Sequence, residues 1–311
     1  MNLDLTHRRY VLGLDIGGTK ILAGLSDLAG NLLIKREFAT DHGPGHAIVD
    51  QVVDLAKRLP LCIGLQPVDL VGAVIGVPAT VIPQSGLLAL SPNLTLPDSE
   101  PLANLLARRL NCPVDVENDA NLAAYGEAIA GRGLGRGSLA LVTFGTGVGM
   151  GIVVNGEIMR GAFGRAGEIS LLPLGGDLGP DVARLGSGQF EEVVGSSGIR
   201  QRYGETETTV REIFDRAALG EEAAVKAIEE TARVAALGLA SVQALLDPEI
   251  LALGGSIGAR EEFAIAVRRH LATALPFPVA VEIGLLGREA GLYGALFAAV
   301  RREKARLTVA G

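Results

Sequence analysis

The chain has 311 residues, 48% of them apolar, enough for one large core or two moderate ones, and the usual size of domains favours two. Its net charge of −7 leaves no basic field to hold a polyanion, which argues against nucleic acid as a partner, although a small anion could still be held locally. Two cysteines, Cys62 and Cys112, cannot staple a chain of this size, the start Met1–Tyr10 has no leader-like apolar segment, and no apolar run approaches the ~18 residues of a membrane span, so a reducing, cytoplasmic setting without a membrane partner is expected.

Tyr10–Leu14 predicts a short strand, broken by Asp15-Ile16-Gly17-Gly18-Thr19-Lys20, then a second strand Ile21–Leu25, a turn at Ala29-Gly30-Asn31 and a third strand Leu32–Ile34. Apolar residues at 48, 49, 52, 53, 55, 56 and 59 give His46–Leu59 the face of a helix, and Leu70–Val77 reads as a fully apolar strand. Leu102–Leu110 is a second helix, Val114–Val116 a short strand, and Ala120–Ala130 a helix entered through Glu117-Asn118-Asp119. Ser138–Phe144 then repeats the opening grammar: an apolar strand, the turn Gly145-Thr146-Gly147-Val148-Gly149-Met150-Gly151, and a second strand Ile152–Val154. A polar, glycine-rich tract (Gly161–Gly198) follows, then a long helix near Glu221–Leu246 and a strand Ile250–Leu253 ending in Gly254-Gly255-Ser256. Helix Glu261–Leu275, strand Val279–Ile283 and a helix from about Glu289 to Arg302 complete the pattern. One device used twice suggests a duplicated α/β fold with a cleft between the copies.

The chain holds 42 glycines, roughly twice average usage, and they gather at strand ends, where backbone can approach a ligand. Successive N–H groups in such turns can bind the phosphates of a nucleotide. Neither turn is a Walker A loop or a dinucleotide fingerprint, because no GxxxxGK[ST] occurs and Gly17-Gly18 leads into a strand. Asp15, at the end of a buried strand, is placed to hold hydrated Mg²⁺, although a plain hairpin with a turn aspartate would read the same way. Asn118-Asp119 stands at a helix N-terminus, where capping is the ordinary reason for both residue types. Transfer of a phosphoryl group to a hydroxyl nevertheless needs a carboxylate that orients the hydroxyl and takes its proton, and Asp119, kept ionised by the helix N-terminus, is the best candidate.

Leu14-Asp15-Ile16-Gly17-Gly18-Thr19-Lys20, Gly76-Val77-Pro78, Pro92-Asn93-Leu94, Glu117-Asn118-Asp119-Ala120-Asn121, Gly145-Thr146-Gly147-Val148-Gly149 and Ala166-Gly167-Glu168 come in an order and spacing that resembles the ROK family of repressors, open reading frames and sugar kinases. The resemblance runs from about residue 10 to 300. It implies a two-lobed, actin-like and hexokinase-like (ribonuclease H-like) α/β fold with ATP and sugar in an interlobe cleft. The lobes implied are a small one, 1–118, with a helix of about 289–311 packing back on it, and a larger one, 119–288. By the same similarity Asp15, Gly17, Gly18, Thr19 and Lys20 would face the Mg-nucleotide, Gly145, Thr146 and Gly147 would cradle phosphates, and Gly254, Gly255 and Ser256 would lie by the adenosine. Asn93, Asn118 and Glu168 would hold sugar hydroxyls, joined by Glu191 with Glu192 as the alternative register, and Asp119 would be the base on the attacking hydroxyl, typically the 6-OH. The implied partners are a hexose or N-acetylhexosamine and ATP, with a homodimer expected.

The chain departs from the family in one place. Most members follow Ala-Gly-Glu-Ile-Gly with a histidine and then a cysteine-rich zinc cluster, whereas here Ala166-Gly167-Glu168-Ile169-Ser170 runs into Leu171 and Pro173–Glu192 has no Cys or His. The histidines, His7, His42, His46 and His270, lie elsewhere, so no structural zinc is expected and the loop Leu171–Gly188 should be the least rigid part of the site. In the family that histidine also touches the sugar near its anomeric end, so Leu171 implies a different or looser sugar preference. The rival reading is a sugar sensor related to the ROK regulators. Those carry a DNA-binding segment ahead of the first glycine turn, where this sequence has about ten residues, and the acidic balance argues the same way.

Overall fold

The structure is a computed structural model that describes residues 9–43, 46–90, 99–174 and 188–310. Its first elements are β1 (Tyr10–Ile16), β2 (Lys20–Asp27), β3 (Leu32–Ala39), α1 (Ala47–Leu61), β4 (Leu70–Val77), β5 (Thr80–Val81), β6 (Leu88–Ala89), α2 (Leu102–Leu110), β7 (Val114–Asn118) and α3 (Asp119–Ala130). Then come β8 (Ser138–Phe144), β9 (Val148–Val154), β10 (Glu157–Ile158), α4 (Gln189–Val194), α5 (Ser196–Tyr203), α6 (Val210–Ala218) and α7 (Glu222–Leu246). The series ends with β11 (Leu251–Gly254), α8 (Gly255–Gly258), α9 (Glu261–Ala274), β12 (Val281–Ile283) and α10 (Ala290–Ala310). Among the described residues no helix is long and apolar enough to cross a membrane.

Two compact units result: Met1–Ile129 with Arg160–Arg165 and Glu289–Gly311, and Ala130–Met159 with Ala166–Arg288. Each is built on a five-stranded sheet, of order β3-β2-β1-β4-β7 in the first and β10-β9-β8-β11-β12 in the second. In both, three antiparallel strands are followed by two that run parallel to the third, so the sheets match strand for strand. The repeated grammar in the sequence is thus a repeated topology. The division falls after Ile129, whereas the sequence reading places a boundary after Asn118. The difference is α3, whose Gly126 lies so close to the Ala290 carbonyl of α10 that no Cβ would fit.

In the first unit β1 and β4 are buried on both faces, which is why they read as near-continuous apolar runs. One face packs on Ile48, Val49, Val52 and Val53 of α1 with Leu102 and Leu106 of α2. The other meets Leu122 of α3 with Ala295 and Ala299 of α10. The second unit's core gathers Phe144, Phe190 and Phe263, with ring centroids 6.2 and 5.5 Å from Phe144. Phe144 is the last residue of β8, so the turn that follows it springs from a fully buried residue of that core.

Several elements differ from the sequence reading. β9 starts at Val148 rather than Ile152, because the hairpin register runs up to the turn, pairing Phe144 with Val148. α10 continues past Arg302 to Ala310. The tract Gly161–Gly198 is not without helices: it holds α4 and opens α5. α6 starts at a capping box in which Thr209 and Glu212 satisfy each other's backbone N–H.

Candidate active site

In the first unit the parallel register sets Asp15 beside Gly76 and Gly76 beside Glu117, so β1, β4 and β7 end side by side at their carboxyl ends, where open α/β sheets place ligands. β1 ends in the turn Gly17-Gly18-Thr19. Gly17 N–H donates to the Lys20 carbonyl at 2.8 Å, and Thr40 Oγ1 donates to the Gly17 carbonyl at 2.7 Å, which holds the turn from outside. Lys20 itself opens β2 and its ammonium pairs with Glu37 on β3 at 2.5 Å. No loop separates β7 from α3. Asn118 Oδ1 accepts from Asn121 N–H at 3.0 Å and Asp119 Oδ1 from Ala120 N–H at 2.8 Å, so both residues cap the helix, as their types suggest.

Capping does not exhaust them, because Asp119 also acts on Asp15. The Asp15 carboxyl is pushed up to about 7, mainly by burial and further by the negative charge of Asp119. The negative charge of Asp119 thus disfavours ionisation of Asp15. Asp15 is also pressed against the first turn of α10, where a Cβ on Gly291 would run into its carboxylate.

In the second unit the turn Gly145–Gly147 joins β8 to β9, closed by Gly145 N–H on the Gly147 carbonyl at 2.9 Å, with Thr146 and Gly147 exposed. Gly254-Gly255-Ser256 passes over its base. Gly255 has φ +77° and sits on the Phe144 carbonyl with no room for a Cβ, while Ser256 Oγ would lie 3.4 Å from a Cβ on Gly145. From the other side Ser196 donates to the Gly145 carbonyl through both N–H (2.9 Å) and Oγ (2.8 Å). Glu191, on α4, accepts from Val148 N–H at 2.7 Å, so of the adjacent pair it is Glu191 that faces the turn while Glu192 is exposed. Burial raises the Glu191 carboxyl, the Val148 bond opposes this, and the charges of Glu192 and Glu168 add to the rise. Glu168 precedes a short 3-10 turn, Ile169–Leu171, and follows Gly167, whose φ of +95° lets the chain pass over the Met150 carbonyl. Leu171 is 57% exposed.

The structure therefore gathers Asp15, Gly17, Gly18, Thr19, Lys20, Asn118 and Asp119 in one unit, and Gly145, Thr146, Gly147, Glu168, Glu191, Gly254, Gly255 and Ser256 in the other. Asn93 lies outside the described residues, as do 175–187 of the loop Leu171–Gly188. Sequence reasoning missed Gly291, Ser196 and the partners of Glu117. Gly291 and Gly294, two glycines a helical turn apart in an otherwise apolar segment, were the available signal for a close approach by α10.

Comparison with known proteins adds a family model, described as ROK family, that matches residues 11–302. A glucokinase of Streptomyces coelicolor is 31% identical over 320 residues, spanning 91% of this chain and 95% of the relative. An N-acetylmannosamine kinase of Shigella flexneri is 32% identical over 293 residues, 92% of this chain and 96% of the relative. Among solved structures, a ROK family glucokinase from Streptomyces griseus in complex with glucose and AMPPNP superposes with a TM-score of 0.76 at 30% identity, covering 94% of this chain and 99% of that one.

Proposed function

Because the chain belongs to the ROK family, we propose that it is an ATP-dependent sugar kinase, transferring a phosphoryl group to a hydroxyl, the 6-OH by preference, of a hexose or N-acetylhexosamine. The observation that carries this reading is the pair Asp15 and Asp119, set at the ends of β1 and β7 closely enough for one charge to raise the other's pKa. Relatives named as glucokinase and N-acetylmannosamine kinase over nearly the whole length support the substrate class. The S. griseus complex supports a nucleoside triphosphate as donor.

Asp119 is the base. Its carboxylate accepts the proton of the sugar hydroxyl as that oxygen attacks phosphorus, and its place at the first residue of α3 favours the ionised form. Asn93, Asn118, Glu168 and Glu191 hold the remaining hydroxyls, each of which must both donate and accept if it is not to be buried unpaired. With the Gly17 and Gly145 N–H groups spent on closing their turns, those of Gly18 and Thr19 and of Thr146 and Gly147 bind phosphate oxygens, and Gly254-Gly255-Ser256 lies by the adenosine. A magnesium ion bound with the nucleotide would neutralise charge on the phosphoryl oxygens during transfer. The residues fit one, because Asp15 offers a carboxylate whose ionisation a cation would favour, and Mg²⁺ needs only one or two such ligands beside phosphate and water.

The test is ADP release from Mg-ATP against a panel of hexoses and N-acetylhexosamines, with Asp119→Asn run in parallel. Sugar-dependent turnover that falls by about 10²–10⁴ in the variant supports the reading. Sugar binding without turnover in the unsubstituted protein would sink it in favour of a sensor.

A further inference from the structure

Glu117 is 7% exposed, and a carboxylate is found so deep only when its charge is matched. The match is Arg160, whose Nε lies 2.6 Å from Oε2. The other oxygen, Oε1, accepts from Asn118 N–H at 3.0 Å and from Asn121 Nδ2 at 2.9 Å. Asn118 and Asn121 lie on either side of Asp119-Ala120, and Asn118 Oδ1 closes the ring by accepting from Asn121 N–H. One buried carboxylate therefore grips both flanks of Asp119.

Arg160 is brought there by an excursion of the chain. The six residues Arg160–Arg165 belong to the first unit, although the chain on either side of them belongs to the second. They are fastened again at Gln84 Nε2, which donates to the Ala162 carbonyl at 2.5 Å, and at Gly164, whose φ of +74° lets it lie on the Val81 carbonyl where no Cβ would fit. Helix formation does not require any of this, since Asn118 and Asp119 already cap α3. An ion pair whose arginine is half exposed is also a poor source of net stability, but its partners fix each other's orientation.

We infer that Glu117 is a positioning residue for phosphoryl transfer: held by Arg160, it locks the junction of β7 and α3 so that the Asp119 carboxylate stays aimed at the sugar hydroxyl. This rests on Asp119 being the base. Displacement of a reacting group by about 1 Å costs on the order of 100-fold in rate. Glu117→Gln, which keeps shape but removes the charge that draws Arg160, should lower kcat about 10–100-fold while the KM for ATP stays within about twofold. Arg160→Lys, which keeps the charge but not the Nε donor, should lie between that variant and the unsubstituted protein. Combining the two should do no more harm than Glu117→Gln alone, because they break one device.

Hydrogen exchange of the segment Asn118–Leu122 in the sugar-free proteins gives a readout that does not depend on turnover, and Glu117→Gln should speed it. Should the unsubstituted protein phosphorylate no sugar, the kinase reading fails and this exchange judges the brace by itself. Should Glu117→Gln fail to fold, Arg160→Lys carries both readouts. A folded Glu117→Gln protein with kcat within about twofold of the original, effects that multiply in the double variant, or unchanged exchange would each overturn the inference.

Discussion

Asp15 should make the substrate-free protein less stable as pH rises, and Asp15→Asn should remove that dependence. The unfolded chain releases the Asp15 proton near the ordinary 3.8, whereas the folded chain keeps it until about 7. Between those values the folded state holds the extra proton, so its stability is full below 3.8 and falls as pH climbs toward 7. The displacement corresponds to about 4 kcal/mol, an upper bound because Asp15 keeps some contact with solvent, which screens it. Asparagine has nearly the same shape and no charge to bury. With a chelator present and no nucleotide, its advantage in stability should therefore grow by about 2–3 kcal/mol between pH 5 and pH 8. That is roughly 5–10 °C in melting temperature for a unit of this size. Far-ultraviolet circular dichroism during thermal or urea unfolding is the assay, since the chain has no tryptophan. An advantage that is constant with pH, or that shrinks as pH rises, would refute the reasoning. The same variant should lose phosphoryl transfer, so stability and activity part company at this one atom group.

Gly255→Ala should destabilise the second unit by about 1–3 kcal/mol or more, because φ +77° is unfavourable for alanine and its Cβ would strike the Phe144 backbone; a lowered melting temperature with a raised KM for ATP checks it. Leu171→His, at an exposed site, should change stability by no more than about 0.5 kcal/mol yet reorder kcat/KM across sugars that differ near the anomeric carbon. An unchanged order would remove Leu171 from sugar selection. Elemental analysis of the purified protein should find zinc far below one equivalent, and chelation should leave its melting temperature unmoved, because Pro173–Glu192 offers neither Cys nor His; stoichiometric zinc would contradict this.

The parts of the fold legible in the sequence were those fixed by neighbours. The two glycine hairpins, β4 and α7 declare themselves through turn chemistry and period, and the matching sheets follow from that repetition. α6 was legible in principle, since Thr209 and Glu212 form a capping box, but the polar tract around it hides its short apolar face. Glu191 and Glu192 point about 100° apart on a helix, and nothing local says which of them meets the turn; the N–H of Val148 decides it. Gly291 and Arg160 act on Asp15 and Glu117 from distant parts of the chain, so the spacing of Gly291 and Gly294 could signal a close approach but nothing local named the partner of either residue.

The crossing of α3 and α10 has a bearing on how the protein is made. Gly126 and Gly294 bring the two backbones together where side chains would hold them apart, so the helix that carries Asp119 is left with an open face until α10 exists. On the ribosome, α10 is synthesised after every strand of the second unit. The second unit can therefore close while the first still waits, with Val11, Val74 and Leu122 uncovered. The segment translated first is thus among the last to be locked, and the base takes up its place only when α10 has docked.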